Sequence, residues 1–171
     1  MNRMTQVPVV RPVDPADAAK VRALRLEMLA DAPLAFIERI DEAAARPHAE
    51  FRSRLVARIS GGDTAQYVAE VGSRLVGQAG VLANSRPSGT ALLYAVYVSP
   101  PWRRTDLLHR LVEATACWAR QAGLSTLVLE VVTSNHRAIR AYTRLGFVDT
   151  GRRTAHPTIP VLTELMMSRP A

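Results

Sequence analysis

Apolar positions along this chain recur with two periods, one suited to strands and one to helices. Val7 to Val13 reads as a first strand, and Asp14-Pro15 after it is a helix start, with aspartate placed to cap and proline at the first helical position. Val21, Leu24, Met28 and Leu29 then recur at helical spacing until Pro33 stops the helix. A second amphipathic helix spans Ala49 to Ser60 and closes on Gly61-Gly62. Ala65 to Gly72 and Ser73 to Ser85 read as a hairpin about a Gly-Ser turn, followed by a longer apolar strand from Thr90 to Pro100. Leu107, Leu108, Leu111, Val112, Trp118 and Ala119 form the stripe of a third helix, which Gly123 ends. Ser125 to Thr133 is continuously apolar, as in a strand buried on both faces. A short helix from Ser134 to Gly146 and two strands, Phe147 to Arg152 and Pro160 to Ser168, complete the pattern.

The order β-α-α-β-β-β-α-β-α-β-β joins hairpins to one strand–helix–strand unit. It predicts an α/β (α+β) fold with a mixed sheet of about seven strands and helices on both faces. With 171 residues, 48% of them hydrophobic, the chain is expected to form a single domain over residues 1–171. No apolar run reaches the roughly 18–20 residues of a membrane span, and the N-terminus lacks a signal core, so a cytoplasmic protein with no membrane partner is expected. The net charge of +7 is carried almost wholly by arginine, with Lys20 the sole lysine, and favours anionic partners. The basic residues are scattered, so nucleic acid is not the expected one. Cys117 stands alone, which rules out an internal disulfide, and its place among apolar residues predicts a small core residue. His48, His109, His136 and His156 lack metal-ligand spacing, so no metal is expected.

Two blocks carry chemistry. The first is Val98-x-Pro100-x-x-Arg103, a strand end running through an arginine-bearing turn into a helix. The second is Asn135-x-x-Ala138-Ile139-x-x-Tyr142-x-x-x-Gly146-Phe147. In this order and spacing they resemble the GNAT superfamily of acyl-CoA-dependent N-acyltransferases; the element order matches along nearly the whole chain, the residues from about Tyr94 to Phe147. The resemblance implies that Val96, Tyr97 and Val98 pair with the pantetheine arm of acetyl-CoA and polarise its thioester. It implies that the turn of Arg103, Arg104, Thr105, Asp106, Leu107 and Leu108 offers amides to the pyrophosphate. Tyr142 aligns with the tyrosine that protonates the departing thiolate, and Asn135 with the asparagine that helps hold the cofactor arm. Read by themselves, Tyr142 is also a plausible helix anchor and Asn135 a plain N-cap.

Two departures from the family pattern stand out. The turn keeps its arginine but has Asp106 and Leu108 where small residues belong; Asp106 suits a helix cap and would compete with a bound anion. The strand before the turn carries Leu92 and Leu93 and no acid, which leaves Glu70, Glu130, His109 and His156 as candidate bases, Glu130 first because its strand lines the expected cofactor cleft. Arg137, Arg140 and Arg144 share one helix face, which reads as a solvated basic surface before it reads as a contact for the CoA 3′-phosphate. The expected activity is transfer of acetyl from acetyl-CoA to a primary amine of a small molecule by direct attack, with Tyr142 as acid; a homodimer is compatible with the sequence. The competing expectation is a GNAT-fold binding or regulatory module whose altered turn has impaired CoA binding.

Overall fold

A computed structural model describes residues 7–84 and 88–171. β1 (Val9–Pro12) leads through a 3₁₀ turn (Pro15–Asp17) into α1 (Ala18–Asp31), followed by α2 (Ile40–Ala45) and α3 (His48–Ser60). β2 (Thr64–Val71), β3 (Arg74–Asn84) and β4 (Thr90–Val98) come next, then α4 (Leu107–Gln121), β5 (Thr126–Val132), α5 (His136–Arg144), β6 (Val148–Ala155) and β7 (Thr163–Pro170). The seven strands form one sheet in the order β1-β2-β3-β4-β5-β7-β6. All neighbours are antiparallel except β4 and β5.

Each cap does local work. Asp14 accepts the amide of Ala16 while Asp17 accepts the amide of Asp14, a reciprocal pair that starts the 3₁₀ turn before Ala18. The β2–β3 turn needs Gly72, whose φ of 58° suits a residue without a Cβ. Leu107, Leu111, Val112, Ala116 and Ala119 of α4 are buried against Ala79, Val81, Leu127 and Leu129 on one face of the sheet, and Ala138, Ile139 and Tyr142 of α5 pack beside them. On the other face Leu24, Met28 and Leu29 of α1, Ala43 of α2 and Leu55 of α3 close over Val68, Leu75 and Tyr97. Both faces of the sheet are therefore covered, as the element order predicts.

The structure departs from the sequence pattern in several places. A short α2 occupies Ile40–Ala45, where no helix is predicted; its six residues give too few turns for an apolar period to show. β1 is shorter than Val7 to Val13, and β6 and β7 run beyond their predicted ends to Ala155 and Pro170. Ser85, at the predicted end of β3, lies outside the described residues. Cys117 is exposed and not a core residue, because the buried stripe of α4 passes through Thr115, Ala116 and Ala119 and leaves position 117 on the outer face. Among the described residues no helix is long and apolar enough to cross a membrane.

Candidate functional site

β4 and β5 pair only through Thr90, Ala91 and Leu92 against Thr126, Leu127 and Val128. Beyond those residues the two strands part, and the β5-facing edge of β4 from Leu93 to Val98 has no strand partner among the described residues. The parting is reinforced from the other side. The β3–β4 register slips between Gln78 and Gly80, and Ala95 sits at φ 50°, a left-handed conformation that costs a non-glycine residue about 1 kcal/mol or more. A free strand edge of this kind can take an extended, amide-bearing arm as an added strand.

The opening leads into a cleft of about 720 Å³. Ala95 and Val96 of β4, Glu130 of β5, and Asn135 and Tyr142 at α5 line it, together with Gln66 of β2, Gln78 of β3 and Glu164 of β7. Four sequence-predicted residues thus meet here: Val96, Glu130, Asn135 and Tyr142. The ring of Tyr142 lies edge-on to Phe147 at 5.7 Å, and its hydroxyl makes no hydrogen bond among the described residues. Burial raises the phenol well above its ordinary value, so it stays protonated at neutral pH and can give a proton to developing charge. Asn135 does cap α5: its Oδ1 accepts the Ala138 amide at 3.2 Å, which leaves its side-chain amide nitrogen for the cleft.

The remaining predicted residues are not in this lining, and several of their side chains have partners of their own. Tyr97 turns its ring into the core beneath α1 and donates to Glu27 at 3.4 Å, and its phenol is pushed up to about 12 by burial and then by the nearby Asp31 and Glu27 charges. Val98 is buried and its carbonyl accepts from Arg103 Nε at 3.0 Å. Arg103 also donates to Asp31 and stacks 5.7 Å over Tyr97, so its side chain is already committed to the protein. Arg104 is exposed, at φ 65°. Asp106 stands at the N-cap of α4 but makes no capping hydrogen bond, contrary to expectation, because its backbone is already helical. Thr105 takes that role, accepting the Leu107 amide at 3.3 Å. Leu107 is fully buried and Leu108 packs at the edge of the same core, so the bulky residue at 108 is an anchor for the helix.

Of the other candidate bases, Glu70 is bound by Arg11 and Lys20 at 2.7 and 2.5 Å, and those hydrogen bonds hold its carboxyl low. His109 lies exposed on α4. Arg137, Arg140 and Arg144 are all exposed, as a solvated face requires. Among the described residues no three metal-ligating side chains cluster.

Three features of the cleft escape the sequence reading. Gln66 and Gln78 are buried at 5% and 3% exposure and linked to each other at 3.3 Å; Gln78 donates to the bulge carbonyl of Ala95 at 3.1 Å, and Gln66 Oε1 has no partner. Two glutamines inside apolar strands were the available signal. Glu38 is gripped by Arg25 and Arg46 at 2.7 and 2.5 Å, which pins the α1–α2 connection beside the cleft; burial raises its carboxyl but the two arginines outweigh it. Glu164 had no local signal at all.

A mixed seven-stranded sheet, split between its parallel strands and bulged on one lip, defines the GNAT fold. The Acetyltransferase (GNAT) family model matches residues 28–147, and the chain belongs to that family. Among solved structures it is similar to a GNAT-family acetyltransferase from Streptococcus pneumoniae, with a TM-score of 0.77 and 21% identity, covering 96% of this chain and 99% of that one. It is similar to a ribosomal-protein-alanine N-acetyltransferase from Brucella melitensis, with a TM-score of 0.76 and 19% identity over 95% and 99% of the two chains. A third is yncA of Salmonella typhimurium, a putative acetyltransferase solved with acetyl-CoA, with a TM-score of 0.72 and 20% identity over 96% and 94%. A search of curated proteins gives no match.

Proposed function

We propose that this protein transfers acetyl from acetyl-CoA to a primary amine of a small molecule by direct attack on the thioester. The observation that carries the reading is the unpaired, bulged edge of β4 facing Tyr142 across the cleft. The pantetheine arm adds to the edge at Val96–Val98, and an amide of the bulge donates to the thioester oxygen as it becomes an oxyanion. The turn Arg103–Leu108 meets the pyrophosphate with backbone amides at the start of α4, while Arg104, exposed and without a partner among the described residues, assists with its side chain. Asn135 steadies the arm through its free amide nitrogen. The amine's lone pair forms the new C–N bond, the C–S bond breaks, and Tyr142 protonates the departing thiolate. Glu130, exposed to the cleft and without an arginine partner among the described residues, belongs to the wall that receives the amine. The donor assignment is supported by the family and by the acetyl-CoA bound to the yncA neighbour.

The test is release of free CoA thiol from acetyl-CoA across a panel of small primary amines, with amide formation confirmed by mass. Turnover with at least one amine is expected, and none across the panel would overturn the reading. A binding or regulatory module is the second reading, favoured by Asp106 at the turn and by Arg103's commitment to Asp31. It predicts no thiol release and weak acetyl-CoA binding.

A further inference from the structure

Glu130 and Glu164 stand out among the acids of this arginine-rich chain. Asp17, Glu27, Asp31, Glu38, Asp41, Glu50, Glu70, Glu113 and Asp149 each hold an arginine. Glu130 and Glu164 hold neither arginine nor lysine among the described residues and line the cleft, as does Glu42 of α2, which accepts only the Arg39 backbone amide. The antiparallel register explains their nearness: Glu130 faces Met166 and Val132 faces Glu164, so the two carboxylates are diagonal neighbours on one face of the sheet. That face is the one away from α4 and α5, since Leu129 and Val131 point into their core.

Glu164 differs from Glu130 in what lies behind it. Its side chain is 13% exposed, and His156, 1% exposed, approaches it from the β6–β7 connection. The His156 Nδ1 accepts the amides of Ile159 at 3.1 Å and Thr158 at 3.3 Å. Nδ1 therefore serves as an acceptor, and Nε2 is the nitrogen with a proton to offer; it faces Glu164 Oε1 at 3.9 Å. That gap is about 1 Å beyond a hydrogen bond, so a small rotation of the carboxylate makes or breaks the contact. Burial raises the Glu164 carboxyl and the Glu130 charge raises it further, while His156 acts in the opposite direction. The rest of the lining carries Arg54 and Arg58 of α3, Arg39 and Glu42 at α2, and Glu38 with its partners Arg25 and Arg46.

We propose that Glu164, backed by His156, takes the acceptor's proton, and that Glu130 and Glu164 together select an acceptor that arrives as a cationic primary amine. This rests on the acyl-transfer reading above. The β5–β7 wall offers two carboxylates and, among the described residues, no cation of its own, so an ammonium group is the chemistry that wall fits, with Arg39, Arg54 and Arg58 elsewhere in the lining. The ammonium first loses one proton to Glu164, which passes it to solvent. The neutral amine then adds to the thioester carbon; Glu164 takes the second proton from the nitrogen of the adduct while Tyr142 gives one to sulfur. Solvent resets both groups, and the net reaction releases one proton.

The test is the pH dependence of kcat/KM for wild type, Glu164→Gln, Glu130→Gln and His156→Asn, with acetyl-CoA-induced stabilisation as the control for fold and donor binding. Glu164→Gln is expected to lower kcat about 10²-fold at neutral pH, keep the acetyl-CoA stabilisation, and leave a rate that climbs with the free-amine fraction. Glu130→Gln, at an exposed position, is expected to move the acidic limb to lower pH, because removing a like charge eases Glu164 deprotonation. His156→Asn is expected to move it to higher pH. An acidic limb unmoved by Glu130→Gln, or a Glu164→Gln enzyme with wild-type rate and profile, would overturn the inference while leaving acyl transfer standing. A wild type that neither turns over any amine nor is stabilised by acetyl-CoA would remove both.

Discussion

At the scale of single residues, Tyr142 is the group on which the proposed chemistry turns. Its hydroxyl has no partner to lose among the described residues, and burial already disfavours the phenolate. Tyr142→Phe should therefore leave the fold and the acetyl-CoA affinity nearly unchanged while lowering kcat by about 10²-fold or more. Because the phenol is raised above its ordinary 10.0, Tyr142 should contribute no basic limb to the pH–rate profile below pH 10. Steady-state kinetics on the two proteins checks both statements; equal kcat values would exclude an acid role. That Tyr142 and Asn135 would line one cleft was legible through the family resemblance, whose second block lies within one short helix and its cap. Glu164 was not legible. Its position beside Glu130 depends on strand register across β5 and β7, and its backing depends on a histidine from the preceding connection. No sequence spacing encodes either.

Among the elements, the ties between β1, α1 and β2 are electrostatic as much as apolar. Arg11 bridges Asp17 at 2.6 Å and Glu70 at 2.7 Å, and Lys20 of α1 reaches Glu70 at 2.5 Å. Asp17 is 4% exposed. Arg11's hydrogen bonds lower its carboxyl below the ordinary 3.8, burial opposes them, and the Asp14 amide adds to the lowering. A carboxyl lowered by folding stabilises the fold fully above its unfolded value and loses that contribution as pH falls through the folded value. Asp17→Asn should cost about 2–3 kcal/mol at pH 7, less than a fully buried pair because Arg11 is partly solvated. The deficit should shrink below about pH 4, where wild type loses the same interaction. Urea denaturation at the two pH values measures this, and a pH-independent deficit would show that Asp17 acts through packing alone. The elements themselves were largely legible, since strands, helix stops and the Gly72, Gly123 and Gly146 turns follow from period and from positive φ. The Ala95 bulge was not, because alanine carries no mark of a left-handed backbone and the slip is imposed by the neighbouring strand.

For the whole molecule, the question is whether a turn with Asp106 and Leu108 still holds a polyanion. Leu108 belongs to the core packing, so its bulk is turned toward the protein. Asp106 is exposed and makes no capping bond, which leaves its charge near the amides that start α4. Against it stand a net charge of +7 and Arg104, which has no partner among the described residues. Binding to the native state alone must stabilise it by mass action, about 2.7 kcal/mol at a hundredfold excess over Kd. For a chain of this length that corresponds to a rise in Tm of roughly 5–10 °C. The increase should saturate with acetyl-CoA and weaken with salt, because phosphate contacts are screened. Asp106→Asn removes the opposing charge without disturbing Leu108, so it should tighten acetyl-CoA by about 2- to 5-fold, the effect of one charge near a helix N-terminus. Thermal shift with both proteins across a titration decides the matter. No shift in wild type and a large one in Asp106→Asn would mean that the turn has been tuned against the cofactor, and the binding-module reading would replace the enzymatic one.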